Sequence, residues 1–334
     1  MPENHVPPAK LFCARFNPGV VGLVIQYVGL QYLPAQVDQD EILAKVQAIR
    51  SCFAAEFGPV HFDEAQSTDR AGYVNLVFAA YWKSAESYAS WEETVPQGWY
   101  HRGLSVDGPI GAFLLVMKPS VWDFETSFSH KFPEGLSHLC DGWSEPTLEH
   151  TYWGSMRDRI PKSQFDAMEA ADLPGSDTGS GDHTTGRLVR IHPIDNLVVI
   201  RSGQDWSDAG DMEREYYEGD LSKRLSSGMS EISDGLQWGC FFQNLLTIVG
   251  DTGPLKKSYS LSMWQSLKHL EDWTTKSHKH MEIFASRIGH EQKVRGQSMI
   301  RTYHEVAVLK ATDQKFEYFN CHPDTGMLRL TESR

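Results

Sequence analysis

Apolar positions in the first third of the chain alternate between strand-like runs and helical spacing. Gly22 to Leu33 has the apolar and aromatic density of a β-strand, and Asp38 to Phe57 carries apolar side chains three or four residues apart. Ala71 to Trp82 then predicts a strand, Ser84 to Trp91 a helix, and Gly111 to Pro119 a strand that proline ends. With one further short strand before residue 71, the order is β-α-β-β-α-β.

The second half of the chain repeats this order. Asn196 to Arg201 predicts a strand and Trp206 to Ile232 a helix. Strands follow at Gly239 to Val249 and Ser258 to Trp264, and a helix begins at Ser266. A final pair of strands is predicted at Met299 to Lys310 and Gln314 to Cys321. Residues 120–195 form an irregular insertion between the halves, and its tract Leu173 to Thr185 is predicted to be a flexible loop.

One short sequence pattern occurs in both halves. Residues 81–91 and 263–273 share a Trp-x-Ser spacing and a second tryptophan seven residues after the serine. Tryptophan is rare, so chance is a poor explanation of the match. Each serine follows a strand-like run and stands where a helix N-cap belongs. The chain is therefore predicted to contain an internal duplication.

A duplicated β-α-β-β-α-β unit defines a fold class. Two ferredoxin-like units can pair their antiparallel sheets into one barrel core with helices outside, an α+β fold of the dimeric α+β barrel type. We predict that residues 1–145 hold the first repeat and the start of the insertion. Residues 146–334 hold the rest of the insertion and the second repeat, and the two form one compact domain.

Charge and composition exclude several classes of protein. The 334 residues carry a net charge of −13, which disfavours nucleic-acid and anionic-membrane surfaces. No run of about 18 apolar residues and no secretory pattern is present, so we expect no membrane partner and a cytoplasmic location. The five cysteines never form a C-x-x-C pair, which argues against a disulfide framework, a zinc knuckle or covalent haem attachment.

Two histidines follow the second tryptophan–serine pattern. His280 comes seven residues after Trp273, so on one continuous helix the two side chains share a face about two turns apart. That face can present the imidazole inward, either as a satisfied core residue or as a ligand of a metal or haem. His278 is the competing candidate if the helix register differs by one or two residues.

A third histidine lies in a strand with period-two alternation. The pattern places His304 with Val306 and Val308 on one face, and Tyr303 and Glu305 on the other. A histidine on a buried face is costly unless it is hydrogen-bonded. His304 is therefore either a structural hydrogen-bond donor or an acid or base that lines a cavity.

Three other polar residues have more ambiguous surroundings. Arg157 follows a run of apolar and small residues and is predicted to be either an ion-pair partner or an anchor for a polar ligand group. Ser202 is read as closing a strand before a glycine, where a turn or N-cap role is the simplest interpretation. His150 lies in a polar context and is predicted to be a surface or structural residue.

Several long strings, in order along the chain, closely resemble the haem-containing aldoxime dehydratases. The strings are Tyr152 to Arg157, Ile200 to Trp206, Trp273 to His280, Tyr303 to Glu305, and Asn320 to Met327. The likeness extends from about residue 20 to residue 330. It implies a duplicated ferredoxin-like barrel that binds haem b, with the haem ligand in residues 146–334, and the dehydration of aldoximes to nitriles.

The resemblance also implies residue roles. By position, His280 resembles the proximal haem ligand and His304 the distal acid/base. Arg157 and Ser202 resemble the groups that hold the oxime hydroxyl, and Glu125 resembles a further distal carboxylate. The implied partner is a small aldoxime, bound through its nitrogen to ferrous haem, and a homodimer is a possible assembly.

Two other classes of protein remain compatible with the sequence. A haem protein of related barrel fold that activates peroxide, or that only carries haem, is the main alternative, because fold alone does not determine function. A haem-free ligand-binding barrel is the third. The aromatic content of 11% fits both alkyl and arylalkyl substrates.

Overall fold

The computed structural model describes residues 1–173, 186–233 and 236–332. Most of the tract predicted to be a flexible loop, residues 174–185, lies outside the described residues. In the described ranges, no helix is both long enough and apolar enough to cross a membrane.

Strands and helices alternate along most of the described chain. The strands are β1 (Ala14–Arg15), β2 (Val24–Tyr32), β3 (His61–Thr68), β4 (Val74–Trp82), β5 (Ile110–Met117), β6 (Phe124–Phe128), β7 (Gly142–Trp143), β8 (Leu188–Arg190), β9 (Leu197–Asp205), β10 (Cys240–Gly250), β11 (Gly253–Trp264), β12 (Arg301–Leu309) and β13 (Gln314–Phe319). The α-helices are α1 (Gln39–Phe53), α2 (Ala85–Thr94), α3 (Ser155–Arg159), α4 (Asp211–Tyr216), α5 (Ser222–Ser233), α6 (Leu267–Lys276), α7 (His278–Lys293) and α8 (Arg329–Glu332).

Each half of the chain contains the ferredoxin-like unit that the sequence predicts. In the first half, β3, β4, β2 and β5 are hydrogen-bonded in that order, with α1 and α2 in the two crossovers. In the second half the equivalent order is β10, β11, β9 and β12. The short strand required before residue 71 is β3, so both β-α-β-β-α-β units are complete.

One antiparallel sheet joins the two units. β10 pairs with β3, with Thr247 opposite Gln66, and the described sheet runs from β6 at one edge to β8 at the other. A single apolar cluster contains side chains from both halves, including Met117 on β5 and Ala307 on β12. The sheet therefore curves around a shared core, and the helices lie outside it.

The serines of the repeated pattern cap helices in both units. Ser84 accepts a hydrogen bond from the backbone N–H of Ser87 at the start of α2, and Ser266 accepts one from that of His269 at the start of α6. The tryptophans that follow pack in the two helix–sheet layers. This local agreement between the halves supports the internal duplication.

Three predicted elements differ in the structure. The helix expected over Trp206 to Ile232 begins only at Asp211, and a π-helical turn at Tyr217–Leu221 separates α4 from α5. The final two strands do not pair with each other: β12 pairs with β6 and β9, whereas β13 returns to β5 in the first unit.

The third difference affects the haem-ligand candidates. Trp273 and His280 were expected on one continuous helix, but the chain is extended at Ser277, between α6 and α7. The Ser277 side chain accepts a hydrogen bond from the backbone N–H of His280, so it caps α7. The break turns the first residues of α7 back toward Trp273, whose ring centroid lies 4.7 Å from that of His280.

Candidate active site

A cavity of about 460 Å³ lies between the sheet of the second unit and its helices. Its volume is within the usual range for a small-molecule or cofactor site. The sheet wall is polar and consists mainly of Ser202, Gln204, Ser260, Ser262, Thr302 and His304. The helix wall is mostly apolar and includes Leu225, Met229, Ile232, Leu270, Trp273 and Ile283. Residues 150–156 and Arg159 contribute a third wall.

Alternation along β12 places His304 on the cavity side. Val306 and Val308 belong to the apolar cluster under the helices, and His304 points to the same side. Ala307, on the opposite face, belongs to the core inside the curved sheet, and Glu305 is buried there. Both faces of β12 are therefore covered, and His304 is the polar side chain on the face that packs under the helices.

His304 is flanked by hydroxyl groups on both neighbouring strands. Ser202 is its direct partner on β9 and Ser127 its direct partner on β6, while Ser260 on β11 lies opposite Ser202. Side chains that face each other across an antiparallel pair lie on the same face about 4.5–5.5 Å apart at Cβ. Ser202 therefore stands inside β9, not at the end of a strand, and it lines the cavity next to His304.

A buried ion pair holds His304 from the side of β6. The Glu125 carboxylate accepts hydrogen bonds from Arg159 Nε, at 2.8 Å, and Nη2, at 3.1 Å. His304 Nε2 lies 2.9 Å from Glu125 Oε1 and 2.9 Å from Arg159 Nη2. The Arg159 side chain is only 5% exposed and that of Glu125 only 1%. The three groups form one network at the cavity wall.

Two opposing effects act on Glu125. Burial by itself would raise the pKa of this carboxyl, but the positive charge of Arg159 and the interaction with His304 outweigh burial and lower the pKa to about 2. The carboxylate is therefore ionised at neutral pH. It balances the charge of Arg159 and offers an acceptor to His304.

His280 enters the cavity from the opposite wall. Its Nδ1 lies 2.8 Å from the backbone carbonyl oxygen of Thr274, so Nδ1–H donates to that oxygen, and Nε2 makes no hydrogen bond to any residue in the described ranges. Burial lowers the pKa of His280, although the hydrogen bond to Thr274 opposes that shift. A neutral imidazole whose second nitrogen is held by a carbonyl is the usual arrangement of a metal-ligating histidine.

His278 is placed differently. Its side chain is 81% exposed and its Nδ1 lies 3.4 Å from the carboxylate of Glu282. It is not among the described residues that line the cavity. Only His280 of the two candidates is positioned to meet a ligand there.

Arg157 does not line the cavity in the described part of the chain. Its Nε and Nη2 donate to the carboxylate of Glu271 at 2.9 and 2.8 Å, and its Nη1 donates to the carbonyl oxygen of Ala167. This geometry matches the ion-pair alternative for Arg157 and leaves no donor directed at His304. The guanidinium beside His304 belongs to Arg159, two residues further along α3.

Known proteins resemble this chain over nearly its whole length. Residues 26–327 match the family model of haem-containing dehydratases. The chain is 35% identical to the aliphatic aldoxime dehydratase of Rhodococcus erythropolis, over 98% of this chain and 93% of that protein. The chain belongs to the haem-containing dehydratase family. It is also 29% identical to the phenylacetaldoxime dehydratase of Bacillus sp. (strain OxB-1), over 99% of this chain and 94% of that protein.

A solved structure extends the comparison to the fold. The crystal structure of an aldoxime dehydratase in complex with butyraldoxime matches this haem-containing dehydratase with a TM-score of 0.89 and 34% identity, covering 98% of this chain and 91% of that chain. The match confirms the predicted α+β barrel-like fold.

The cavity of this haem-containing dehydratase suits haem b. The free Nε2 of His280 is an appropriate axial donor, and the ring of Trp273 and the aliphatic side chains of the helix wall suit an apolar macrocycle. The chain contains no C-x-x-C-H motif, so the sequence predicts non-covalent haem binding.

Two cavity residues were missed from the sequence. Arg159 lies only two residues from Arg157, and residues two apart in a helix point in nearly opposite directions. Because the two arginines have the same neighbours in sequence, the sequence could not show which of them faces the cavity. His150 was expected to be a surface or structural residue; it is not at the surface, because it is 2% exposed, and it lines the cavity while its Nδ1 lies 2.6 Å from Thr151 Oγ1. Burial and the neighbouring charge of Arg159 lower the pKa of His150 to about 4, which keeps it neutral.

Proposed function

We propose that this chain dehydrates aldoximes to nitriles, converting R–CH=N–OH into R–C≡N and water, with haem b as its cofactor. The observation that carries the proposal is the content of one cavity. An imidazole with a free Nε2, that of His280, and a second imidazole held by a buried Glu125–Arg159 pair, that of His304, line the same space. The names of the curated relatives support an aldoxime as the substrate.

His280 is proposed to hold the haem through Nε2. The carbonyl of Thr274 fixes the ring by accepting from Nδ1–H, which raises the electron-donating power of Nε2. When bound, haem would supply a ferrous iron able to coordinate the oxime nitrogen and to donate electron density toward the N–O bond, without net oxidation or reduction.

His304 is proposed to move the protons. Hydroxide is a poor leaving group, so the oxime oxygen needs a proton as the N–O bond breaks. Protonated His304 gives that proton and water leaves. The neutral imidazole then takes the hydrogen from the aldoxime carbon as the C≡N bond forms, which restores its starting state. The same histidine acts first as an acid and then as a base, so atoms and charge balance over the reaction.

Three neighbouring groups are proposed to orient this exchange. Glu125 lies 2.9 Å from His304 Nε2 and orients its ring. Arg159 and Ser202, which stand beside His304 on the cavity wall, supply donors for the oxime oxygen. The resemblance assigned the arginine role to Arg157. Arg157 pairs with Glu271 and is not among the described residues that line the cavity, whereas Arg159 lines it beside His304, which favours Arg159 for this role.

Anaerobic turnover of the haem-loaded protein tests the proposal. The dithionite-reduced enzyme, mixed with butyraldoxime or phenylacetaldoxime in the absence of peroxide, is expected to form the corresponding nitrile, measured by gas chromatography. The oxidised and the haem-free protein serve as controls and should form little. No nitrile from the reduced enzyme, with peroxide-dependent oxidation of a dye instead, would assign the chain to the peroxidase class.

Other features remain predictions from the sequence alone. These are a homodimer, a cytoplasmic location, and the division into residues 1–145 and 146–334 within one haem-binding domain. Gel filtration, cell fractionation and limited proteolysis, respectively, would check them.

A further inference from the structure

The cavity lining near His280 differs from the lining on the side of the sheet near Thr302. Near His280 the lining includes the ring of Trp273, whose centroid lies 4.7 Å from that of the imidazole, and Leu270 of the same apolar cluster. On the side of the sheet the lining includes Gln204 and Thr302, which are direct cross-strand partners on β9 and β12. Haem also has two unlike parts, because its ring is apolar and its two carboxylates lie together on one edge.

Arg287 lies on the side of the cavity near Thr302, at the start of β12. Among the described residues that line the cavity, the permanent cations are Arg159 and Arg287. Arg159 is paired with Glu125, whereas Arg287 approaches the start of β12, where its Nη2 donates to the carbonyl oxygen of Ile300 at 3.3 Å. Ile300 precedes Thr302 by two residues, so Arg287 and the polar Thr302–Gln204 pair lie on the same side of the cavity.

The spacing along α7 connects Arg287 to the haem ligand. Arg287 follows His280 by seven residues within α7, which places both side chains on the same helical face about 10.5 Å apart along the axis. Two helical turns are comparable to the distance from the iron of a haem to its carboxylates. Arg287 would therefore be within reach of the carboxylate edge of a cofactor held at His280 Nε2.

The guanidinium has hydrogen-bonding capacity to spare. Its Nη2 forms an ion pair with Glu291 on the next turn of α7, and its Nη1 has only a long contact of 3.5 Å with Ser298 Oγ. Nε–H makes no hydrogen bond within the described residues. Glu291 fixes the orientation of the arginine and takes part of its charge, but it leaves donors on the Nε and Nη1 edge.

We propose that Arg287 is the anchor for a carboxylate of the cofactor. The inference rests on the proposed binding of haem by His280. A carboxylate taken into a cavity is costly unless a cation or several donors meet it, and an arginine offers both charge and paired N–H groups. Arg287 is thus a binding residue for the cofactor edge, distinct from the proton-transfer group at His304.

Haem exchange tests the inference without reference to catalysis. Wild-type protein is reconstituted with haem b or with haem dimethyl ester, whose carboxylates are blocked, and haem transfer to excess apomyoglobin is followed at the Soret band. We expect the ester to leave at least about tenfold faster than haem b, because it cannot form the charge-assisted hydrogen bonds. Arg287→Met should release haem b about as fast as the ester and should no longer distinguish the two.

Arg224→Met is the matched control. Arg224 lies on the neighbouring α5, pairs with Asp220, and is not among the described cavity residues. This variant should retain the wild-type preference for haem b. Equal release of haem b and its ester from wild-type protein would overturn the inference, and that comparison needs no variant. If the enzyme binds haem and converts aldoxime but does not prefer haem b over the ester, only the role of Arg287 as an anchor is refuted. If it binds neither haem b nor the ester, the proposed function is refuted.

Discussion

His304 lies 2.9 Å, through its Nε2, from Oε1 of Glu125, a carboxylate whose side chain is only 1% exposed. The two residues come from adjacent strands, β12 and β6, so the sheet itself fixes their separation. Because a buried carboxylate at this distance fixes the orientation of the imidazole, this pair can hold His304 where it faces a leaving oxygen in the cavity.

The role of His304 predicts a selective loss of turnover. His304→Ala should keep haem, keep the ferrous spectrum and still bind aldoxime, because this side chain is not positioned as the iron ligand in the proposal. Its kcat should fall by at least about 10²–10⁴, the usual contribution of a proton-transfer group, and by more if the same imidazole acts twice. Spectral titration and steady-state kinetics measure the two effects. A haem-replete variant with more than about a tenth of wild-type kcat would remove His304 from this role.

The two histidines at the start of α7 should behave oppositely. His280→Ala is expected to lose haem or its native ferrous spectrum, because this imidazole is the proposed protein bond to iron. His278→Ala should retain both, since its side chain is 81% exposed and faces Glu282. Haem content by pyridine haemochrome assay and the ferrous spectrum check the pair. The reverse result would transfer the ligand role to His278.

The two arginines of α3 provide a matched pair of substitutions. Arg159→Lys should lower kcat/KM by about tenfold or more, because an ammonium cannot reproduce the planar fork that meets Glu125 and His304 together. Arg157→Lys should leave kcat/KM within about threefold of wild type and mainly weaken the contact with Glu271. Steady-state kinetics with one aldoxime decides between them. A larger loss in Arg157→Lys would restore the role that the resemblance implied.

Ser202 is expected to contribute less than His304 or Arg159. Removing its hydroxyl in Ser202→Ala should reduce kcat/KM by an amount equivalent to about 0.5–1.5 kcal/mol, the usual value of one neutral hydrogen bond. Ser260→Ala is the control, because Ser260 faces the same cavity one strand further from His304. Equal effects of the two substitutions would argue that Ser202 has no special contact with the substrate.

Glu125 should make stability depend on acid pH. Its pKa is lowered to about 2 in the folded state, against about 4.3 in an unfolded chain, so the folded state gains stability above pH 4.3 and loses that gain as pH falls toward 2. Glu125→Gln should destabilise the protein by roughly 3–5 kcal/mol at pH 7, since it leaves Arg159 buried without its charge partner. Urea unfolding across this pH window measures the difference, which should shrink toward pH 2. A difference independent of pH would contradict the ionised pair.

Local pattern determined much of the fold. Apolar periodicity, the capping serines and the repeated tryptophans predict both β-α-β-β-α-β units, because strand alternation, helical spacing and N-caps depend on residues close together in sequence. The same alternation placed His304 on the side of Val306 and Val308, where the structure has it.

Contacts between distant residues were decided only by the tertiary structure. The cavity forms where residues near 125, 159, 202, 280 and 304 meet across strands and helices, and nothing local specifies that meeting. The choice between Arg157 and Arg159 depends on which face of a five-residue helix turns toward β6, and the position of His280 depends on a helix break at Ser277. Sequence determined the elements and the chemical types available. Packing of those elements decided which side chains face one another, because burial and charge pairing are properties of the assembled fold.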